Sequence, residues 1–356
     1  MRLRLSLNSA NTQSARSNLF LHISGGEPTG LSSECSWHTV STPLLGWRHL
    51  HNAEYEFGGT DTVRERQDTQ ASIFNIDSML SNMHFGAMLS KEPAMHANIL
   101  ISREKIDGTQ GELAVYRSGT GPRVLFLHAD CGCSDQWREV INLISSEFET
   151  CAIDFRGHGH SAAAANQEYS FSARAEDALA VVDALGWDRF LIVAHSGGGA
   201  AALALAGSHP ERVRGLLLID PVTDPSGVPQ EVMAAIVAGL SGPDSLVFLK
   251  QYYSTITGAD EAVRARVLAD ADATTPESRA GVGKAVAGWH AGEALDAYQG
   301  LLFIVGADAT DGPSALYALR PRIPHVVAHG TGHWLQIERP ELVADNLRNL
   351  AKRTET

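Results

Sequence analysis

The sequence predicts an α/β fold, a mostly parallel sheet of eight strands with helices on both faces and one long insertion. The main observation is that short apolar, β-branched runs alternate with amphipathic segments of roughly 10 to 15 residues from Met95 onward. Hydrophobic residues make up 44% of the chain and charged residues 19%, a composition typical of soluble globular proteins. A length of 356 residues allows one large α/β domain with an insertion, or two domains.

Eight segments have the length and composition of strands. They lie near Ile99–Ser102, Glu112–Arg117, Val124–His128, Thr150–Phe155, Phe190–His195, Val213–Asp220, Leu301–Gly306 and His325–Ala328. Most of the segments between them have helical spacing, as expected when parallel strands are joined by crossover helices.

The connection after the sixth predicted strand is too long for a simple loop, so residues 221–300 must have structure of their own. We interpret them as a helical cap inserted into a core formed by residues 95–220 and 301–356. Four segments of the cap have helical spacing, and prolines mark two of the helix starts. These segments are Pro229–Leu240, Asp244–Ser254, Glu261–Ala269 and Pro276–His290.

Residues 1–94 differ in composition from the rest of the chain. Alanine occurs 6 times there and 41 times in residues 95–356, and no helical or strand periodicity is sustained. Three explanations remain open. The start codon is assigned too far upstream and the chain begins at Met88 or Met95, the segment is a poorly structured extension, or it is a targeting sequence, since no acidic residue precedes Glu27.

Charge and cysteine content exclude several classes of function. Lys and Arg number 28 and Asp and Glu 41, a net charge of −13, which disfavours binding to nucleic acid. We find no run of 18 apolar residues that predicts a membrane span. Four cysteines are too few for a disulfide framework, so we expect a cytoplasmic protein in a reducing environment. The oligomeric state stays open.

The sharpest motif is Ala194-His195-Ser196-Gly197-Gly198, which follows an apolar strand and opens a helix of small residues. A serine on such a turn has a strained backbone, and crowding demands small residues two positions before and after it. Ala194 and Gly198 meet that demand. A dinucleotide-binding loop is the weaker interpretation, because the glycine spacing is wrong and this strand is not the first of the sheet.

With these motifs the chain resembles the α/β-hydrolase superfamily over roughly Gly111 to Lys352. Ser196 matches the family's nucleophile elbow, although Ala194 replaces the usual first glycine. Three further motifs agree in order and spacing, namely Val124-Leu125-Phe126-Leu127-His128, Asp154-Phe155-Arg156-Gly157-His158-Gly159-His160-Ser161, and Gly332-His333 with Glu338 and Pro340. The resemblance implies that Ser196 is the nucleophile and His333 the base that removes its proton. We interpret His128 and His195 as structural histidines.

The carboxylate that would orient His333 is ambiguous in the sequence. In most members of the superfamily the acid follows the seventh strand, where this chain has Asp308 and Asp311 on either side of the matching position, Ala309. In some members the acid ends the sixth strand, where this chain has Asp220. All three aspartates remain candidates.

The resemblance also implies an oxyanion hole formed by the backbone N–H groups of Gly197 and Asp130. The chain departs from the family here, since Ala129 replaces a glycine and Asp130 brings a carboxylate close to a site meant for negative charge. The cysteines of Cys131-Gly132-Cys133 in the same loop are interpreted as small residues that allow the loop to turn.

The predicted function is that of a serine hydrolase that needs no cofactor and no metal and cleaves a small ester or related acyl bond through an acyl-enzyme. Its substrate would be a small molecule with an apolar part. Serine at the elbow disfavours the dehalogenase and epoxide hydrolase branches of the superfamily, which place aspartate there. Two alternatives remain, a cofactor-free oxidoreductase or lyase on the same fold and a small-ligand receptor that retains the triad.

Overall fold

The computed structural model describes residues 102–354 in full and, as backbone only, three strands near the start of the chain. The chain divides into two units, residues 1–95 and 96–356. In the first unit, β1 (Arg2–Asn8), β2 (Asn18–Ser24) and β3 (Thr39–Val40) form an antiparallel sheet that the sequence pattern did not predict. The other residues before Ser102 lie outside the described ones, and the interpretation of residues 1–94 as an extension or misassigned start stays a prediction.

The second unit is built on one sheet of eight strands, in the order β11-β10-β9-β8-β6-β7-β5-β4. The strands are β4 (Ser102–Asp107), β5 (Glu112–Ser118), β6 (Arg123–Leu127), β7 (Glu149–Ile153), β8 (Phe190–His195), β9 (Val213–Ile219), β10 (Leu302–Ala307) and β11 (His325–Ala328). Only the pairings of β5 with β4 and with β7 are antiparallel. The predicted mostly parallel eight-stranded sheet is therefore confirmed. The first predicted strand falls largely outside the described residues, and β4 begins where that prediction ends.

Helices cover both faces of the sheet, as predicted. They are α1 (Arg138–Ile144), α2 (Phe171–Ala184), α3 (Gly197–Ser208), α4 (Gln230–Ser241), α5 (Ser245–Ile256), α6 (Glu261–Asp272), α7 (Pro276–Ala287), α8 (Ala291–Ala297), α9 (Leu316–Leu319), α10 (Leu335–Glu338) and α11 (Pro340–Arg353). Alternate residues of the central strands enter two separate cores, as the pleat of a strand requires. Ile192 belongs to the core that includes residues of α2, α3 and α8, whereas its neighbour Val193 belongs to the core that includes residues of α1 and α11.

Five helices, α4 to α8, occupy the connection between β9 and β10. Four of them correspond to the segments predicted to be helical, and α8 is an additional short helix. Asp260 and Thr275 accept hydrogen bonds from the first turns of α6 and α7 at 2.8 and 3.2 Å, which explains where these helices begin. The inserted helices share a hydrophobic cluster with Cys131 and Trp334 of the α/β core. The interpretation of residues 221–300 as a functional cap stays a prediction.

Among the described helices, none alone has the length and apolar character needed to cross a membrane. The pair α4 and α5 meets the length and composition criteria only when taken together, with a bend of 120° between the two helices.

Candidate active site

Ser196 lies at the turn between β8 and α3 with backbone angles φ 52° and ψ −121°, a conformation that non-glycine residues rarely adopt. Its backbone N–H donates to the Ile219 carbonyl at 3.1 Å, and its own carbonyl accepts from Gly199 N at 2.8 Å. These bonds hold the strained turn between two strand ends. A Cβ at Gly198 would lie only 2.5 Å from the His128 carbonyl, so this position requires glycine. Ala194 is fully buried and fits the space that a glycine usually fills.

His333 lies in the loop between β11 and α10 and is buried. Its backbone is held from two sides, because its N–H donates to the Ile256 carbonyl at 2.9 Å and its carbonyl accepts from His195 Nε2 at 2.9 Å. The other ring nitrogen of His195, Nδ1, accepts a hydrogen bond from Nε2 of Gln336 at 2.9 Å. His195 therefore helps to fix the position of His333 by a hydrogen bond to the backbone carbonyl of His333.

Asp220 directly follows β9 and is the carboxylate in contact with the His333 ring. His333 Nδ1 donates to Asp220 Oδ2, which leaves Nε2 of the ring free to accept a proton from another group. The carboxylate also accepts from Thr310 Oγ1 at 2.6 Å and from the Ala307 N–H at 3.2 Å. Asp220 has φ 40°, so its backbone is in the left-handed region. Three donors converging on one buried carboxylate fix its orientation.

The other two candidate acids do not contact His333. Asp308 lies in the loop after β10, where its exposed carboxylate is 3.3 Å from Nδ1 of His329. Asp311 is exposed and accepts a hydrogen bond from the Tyr317 hydroxyl at 2.9 Å. The structure therefore does not support the candidacy of Asp308 or Asp311, because the loop after β10 directs both side chains to other partners.

Asp130 and Gly197 face each other at the end of β6 and the beginning of α3. A Cβ on Gly197 would overlap with Oδ2 of Asp130, so the carboxylate lies directly against this glycine. Oδ1 of Asp130 accepts from Nη1 of the buried Arg174, and the Asp130 carbonyl accepts from the Tyr253 hydroxyl. Within residues 102–354, neither the Asp130 N–H nor the Gly197 N–H has a hydrogen-bond acceptor. The loop after β6 and the N-terminus of α3 thus each leave one backbone donor without an acceptor in residues 102–354.

Ser196, His333, Asp220 and Asp130 line one cavity of about 260 Å³. The rest of its wall is mainly apolar and comes from the inserted helices and from the loops after β9 and β10. The apolar side chains are Pro221, Val222, Ile236, Leu240, Phe248, Leu249, Ile256, Val282, Val286, Ala315 and Leu316. No lysine or arginine side chain lines this cavity in the described part of the chain. The cavity therefore suits a molecule with an apolar, uncharged body.

Burial keeps His128 and His195 uncharged. Burial is the main cause that lowers the pKa of His195, and the neighbouring His333 lowers it further. Burial likewise lowers the pKa of His128, whose Nε2 accepts from the Phe155 N–H at 3.0 Å. In residues 102–354 no group of three or more His, Cys, Asp or Glu side chains is arranged to hold a metal ion.

The family model of the alpha/beta hydrolase fold matches residues 122–340, more than half of the chain. The chain belongs to the α/β-hydrolase family. The matched range contains Ser196, Asp220 and His333, so the carboxylate–imidazole pair and the serine turn all lie within the family's fold.

Comparison with individual proteins gives similarities over shorter stretches. A fluoroacetate dehalogenase from Burkholderia sp. is 34% identical over 106 residues, which is 29% of this chain and 35% of that protein. A serine hydrolase-like protein from Danio rerio is 35% identical over 113 residues, 31% of this chain and 35% of that protein. The matches thus span about a third of the length of these curated relatives.

Among solved structures, a thermophilic esterase from Thermogutta terrifontis superposes with a TM-score of 0.63 at 22% identity. The superposition covers 72% of this chain and 100% of the esterase. At this identity the likeness concerns the fold alone.

Sequence reasoning missed three residues that contact the predicted site. Arg174, Tyr253 and Thr310 bind Asp130 or Asp220 from positions that belong to no motif. Thr310 lies between Asp308 and Asp311 in a loop where the sequence motifs predict a carboxylate, and a threonine there has no expected role. For Arg174 no signal in the sequence pointed to the site, because it is only one polar position on a helix. Tyr253 is one of the aromatic residues of the predicted cap that the sequence offers for an apolar pocket, but its hydrogen bond to the loop after β6 could not be predicted.

Proposed function

We propose that this α/β-hydrolase is a serine hydrolase that cleaves small, uncharged carboxylic esters through an acyl-enzyme. The observation that carries the proposal is the hydrogen bond between Asp220 and His333 in the cavity that also contains the strained Ser196. A serine hydroxyl is a weak nucleophile until a neutral imidazole takes its proton, and the imidazolium that forms is stabilised by the carboxylate.

In the first half of the proposed reaction, Ser196 Oγ attacks the ester carbonyl while Nε2 of His333 takes its proton. The negative charge that develops on the carbonyl oxygen is stabilised by the N–H groups of Gly197 and Asp130. His333 then returns the proton to the leaving alkoxide, and the alcohol departs. In the second half, water attacks the acyl-enzyme by the same steps and releases the carboxylic acid.

The identity of the residue at the elbow separates this proposal from other chemistry in the family. A fluoroacetate dehalogenase is among the relatives by sequence, and the dehalogenase branch uses aspartate where this chain has Ser196. An aspartate there forms an ester with the substrate carbon, whereas a serine forms an acyl-enzyme from an ester. The absence of a cation in the described cavity wall also disfavours substrates that carry a free carboxylate.

The experiment is a fluorophosphonate label together with a panel of p-nitrophenyl esters whose acyl chains differ in length. The protein should be labelled once and should hydrolyse short and medium acyl esters. Ser196→Ala should abolish labelling and turnover and leave the melting temperature nearly unchanged, because the hydroxyl contributes little to packing. Labelling that persists in Ser196→Ala, or a native protein without turnover on any ester, would refute the proposal.

A further inference from the structure

The carboxylate of Asp130 lies where a serine hydrolase would develop negative charge. Oδ2 of Asp130 lies next to Gly197. The backbone N–H groups of these two residues are the ones assigned to the oxyanion. Two negative charges a few ångströms apart repel each other strongly in a site shielded from water. An uncompensated carboxylate at this position would therefore oppose the transition state of the reaction.

Arg174 of α2 is the counterion of this carboxylate. Its side chain is fully buried, and its guanidinium lies over the rings of Phe155 and Phe171, 5.3 Å from each ring centroid. Nη1 bonds Asp130, whereas Nε and Nη2 have no partner among the described residues. Burying a guanidinium with unpaired nitrogens is costly. The hydrogen bond to Asp130 is thus the one hydrogen bond that the described structure offers the Arg174 guanidinium.

Several ionisable groups close to Asp130 carry no charge. They come from the loop after β6 and from α5, and they are His128, Cys131, Tyr252 and Tyr253. Burial lowers the pKa of His128 and raises the pKa of Cys131 to about 12 and that of Tyr253 well above its usual range, so all three are neutral. Among the described residues, Arg174 is the one cation that bonds the Asp130 carboxylate. Arg279 of α7 acts on the neighbouring Cys131, and His333 lines the same cavity as Asp130.

We propose that Arg174 is a positioning residue that neutralises and orients the Asp130 carboxylate, so that the Asp130 and Gly197 N–H groups can stabilise an oxyanion. This inference rests on the proposed serine hydrolase function. Arg174 is not among the residues that line the cavity. It acts through Asp130, whose negative charge it offsets close to the charge that develops on the substrate.

The test is the pH dependence of kcat/KM, whose acidic limb reports the protonation of the catalytic base. In Arg174→Met the unpaired carboxylate should favour the protonated base and move the acidic limb up by about 0.5 to 1 pH unit, a shift typical of one nearby charge. We expect kcat to fall at least tenfold and KM to change less. In Asp130→Asn the unpaired guanidinium should move the limb in the opposite direction.

Two further variants test the same charge balance. Arg174→Lys keeps the charge and should bring the acidic limb back to its native position. The double variant Asp130→Asn/Arg174→Met removes both charges, so its limb should lie close to that of the native protein. If Arg174→Met does not fold, the other two variants still test the proposal, because the acidic limb should move down in Asp130→Asn and stay at its native position in Arg174→Lys. Limbs that coincide in all folded variants would overturn the proposal.

A second buried ion pair serves as the matched control. Arg156 Nε is 2.6 Å from Asp177 Oδ2, both side chains are buried, and neither lines the cavity. Asp177→Asn should lower the melting temperature and leave the acidic limb in place, whereas an equal shift in this variant would overturn the proposed role of Arg174. Failure of the proposed function looks different, because the native protein would then show neither fluorophosphonate labelling nor ester turnover.

Discussion

The imidazole of His333 is hydrogen-bonded to the carboxylate of Asp220, a residue that lies 113 positions earlier in the chain, directly after strand β9. The loop after β10, where two other aspartates lie, contributes Thr310 to this carboxylate and no acid to the imidazole. This contact makes Asp220, which follows β9, the acid of the proposed function, rather than an aspartate after β10. Of the three candidate aspartates, Asp220 is the one that contacts His333, and mutation of each aspartate tests this difference.

Asp220→Asn should reduce kcat by several orders of magnitude, because an amide can present its NH₂ group to Nδ1 and stabilise the wrong tautomer. Asp308→Asn and Asp311→Asn are the matched controls, and each should keep turnover within about threefold, a difference of about 0.65 kcal/mol in the barrier. Steady-state hydrolysis of a p-nitrophenyl ester measures all three. The assignment fails if Asp308→Asn or Asp311→Asn is the most damaging of the three substitutions.

The Tyr253 hydroxyl connects α5 to the loop after β6 by donating to the Asp130 carbonyl. Tyr253→Phe keeps the ring that packs edge-on against Trp334, with centroids 4.9 Å apart, and removes only this bond. We expect kcat to fall about tenfold, the kinetic equivalent of about 1.4 kcal/mol, with KM nearly unchanged, because the loop that holds the Asp130 N–H is less fixed.

Tyr298→Phe provides the control for Tyr253→Phe. The Tyr298 hydroxyl also donates to a backbone carbonyl, that of Leu301 at 3.3 Å, but Tyr298 does not line the cavity. Both variants lose one hydroxyl, so both should have similarly small losses of melting temperature. Equal losses of kcat in the two variants would show that Tyr253 has no particular connection to the site.

Gly197 is the position at which a single methyl group should damage the site most directly. In Gly197→Ala the new Cβ would overlap with Oδ2 of Asp130 and push the carboxylate and its loop away from α3. We expect turnover to fall at least a hundredfold, since the loss of one oxyanion donor costs about that much. Gly227→Ala is the control, because nothing lies within 4 Å of a Cβ there. Normal activity in Gly197→Ala would contradict the assigned oxyanion hole.

Local patterns explain why most of the fold could be predicted. The strand before Ser196 is a continuous apolar run, and the small residues around the serine follow from backbone crowding at the turn, so both features are visible in a few consecutive residues. The acid could not be chosen in this way. Asp220, Asp308 and Asp311 all follow predicted strands, and only the three-dimensional course of the loop after β10 decides which of them faces His333.

The role of Arg174 could not be predicted from the sequence for a related reason. It lies 44 positions from Asp130 on an ordinary amphipathic helix, where a single arginine normally predicts a solvent-exposed side chain. The unusual residue at position 130 was visible in the sequence. The counterion of Asp130 was not visible in the sequence. Packing between α2 and the loop after β6, and not spacing along the chain, brings Arg174 to Asp130.

Three buried histidines should make the folded protein sensitive to mild acid. Burial lowers the pKa values of His128, His158 and His195, so these rings stay neutral in the fold, whereas in the unfolded chain they titrate near pH 6.5. Below that pH the unfolded state binds more protons than the folded state, and the free energy of unfolding must fall as the pH falls. Each histidine contributes up to about 1.4 kcal/mol per pH unit.

The variant His158→Gln isolates one of these contributions. Its free energy of unfolding, measured in urea at pH 7.5 and pH 5.5, should decline less than that of the native protein by about 1.4 kcal/mol over this interval, because one proton fewer is taken up on unfolding. Burial raises the pKa values of Asp270 and Glu338, which favours the folded state in acid, but this effect is common to both proteins and cancels in the difference. Parallel declines in the two proteins would show that His158 is protonated to the same extent in the folded and unfolded states.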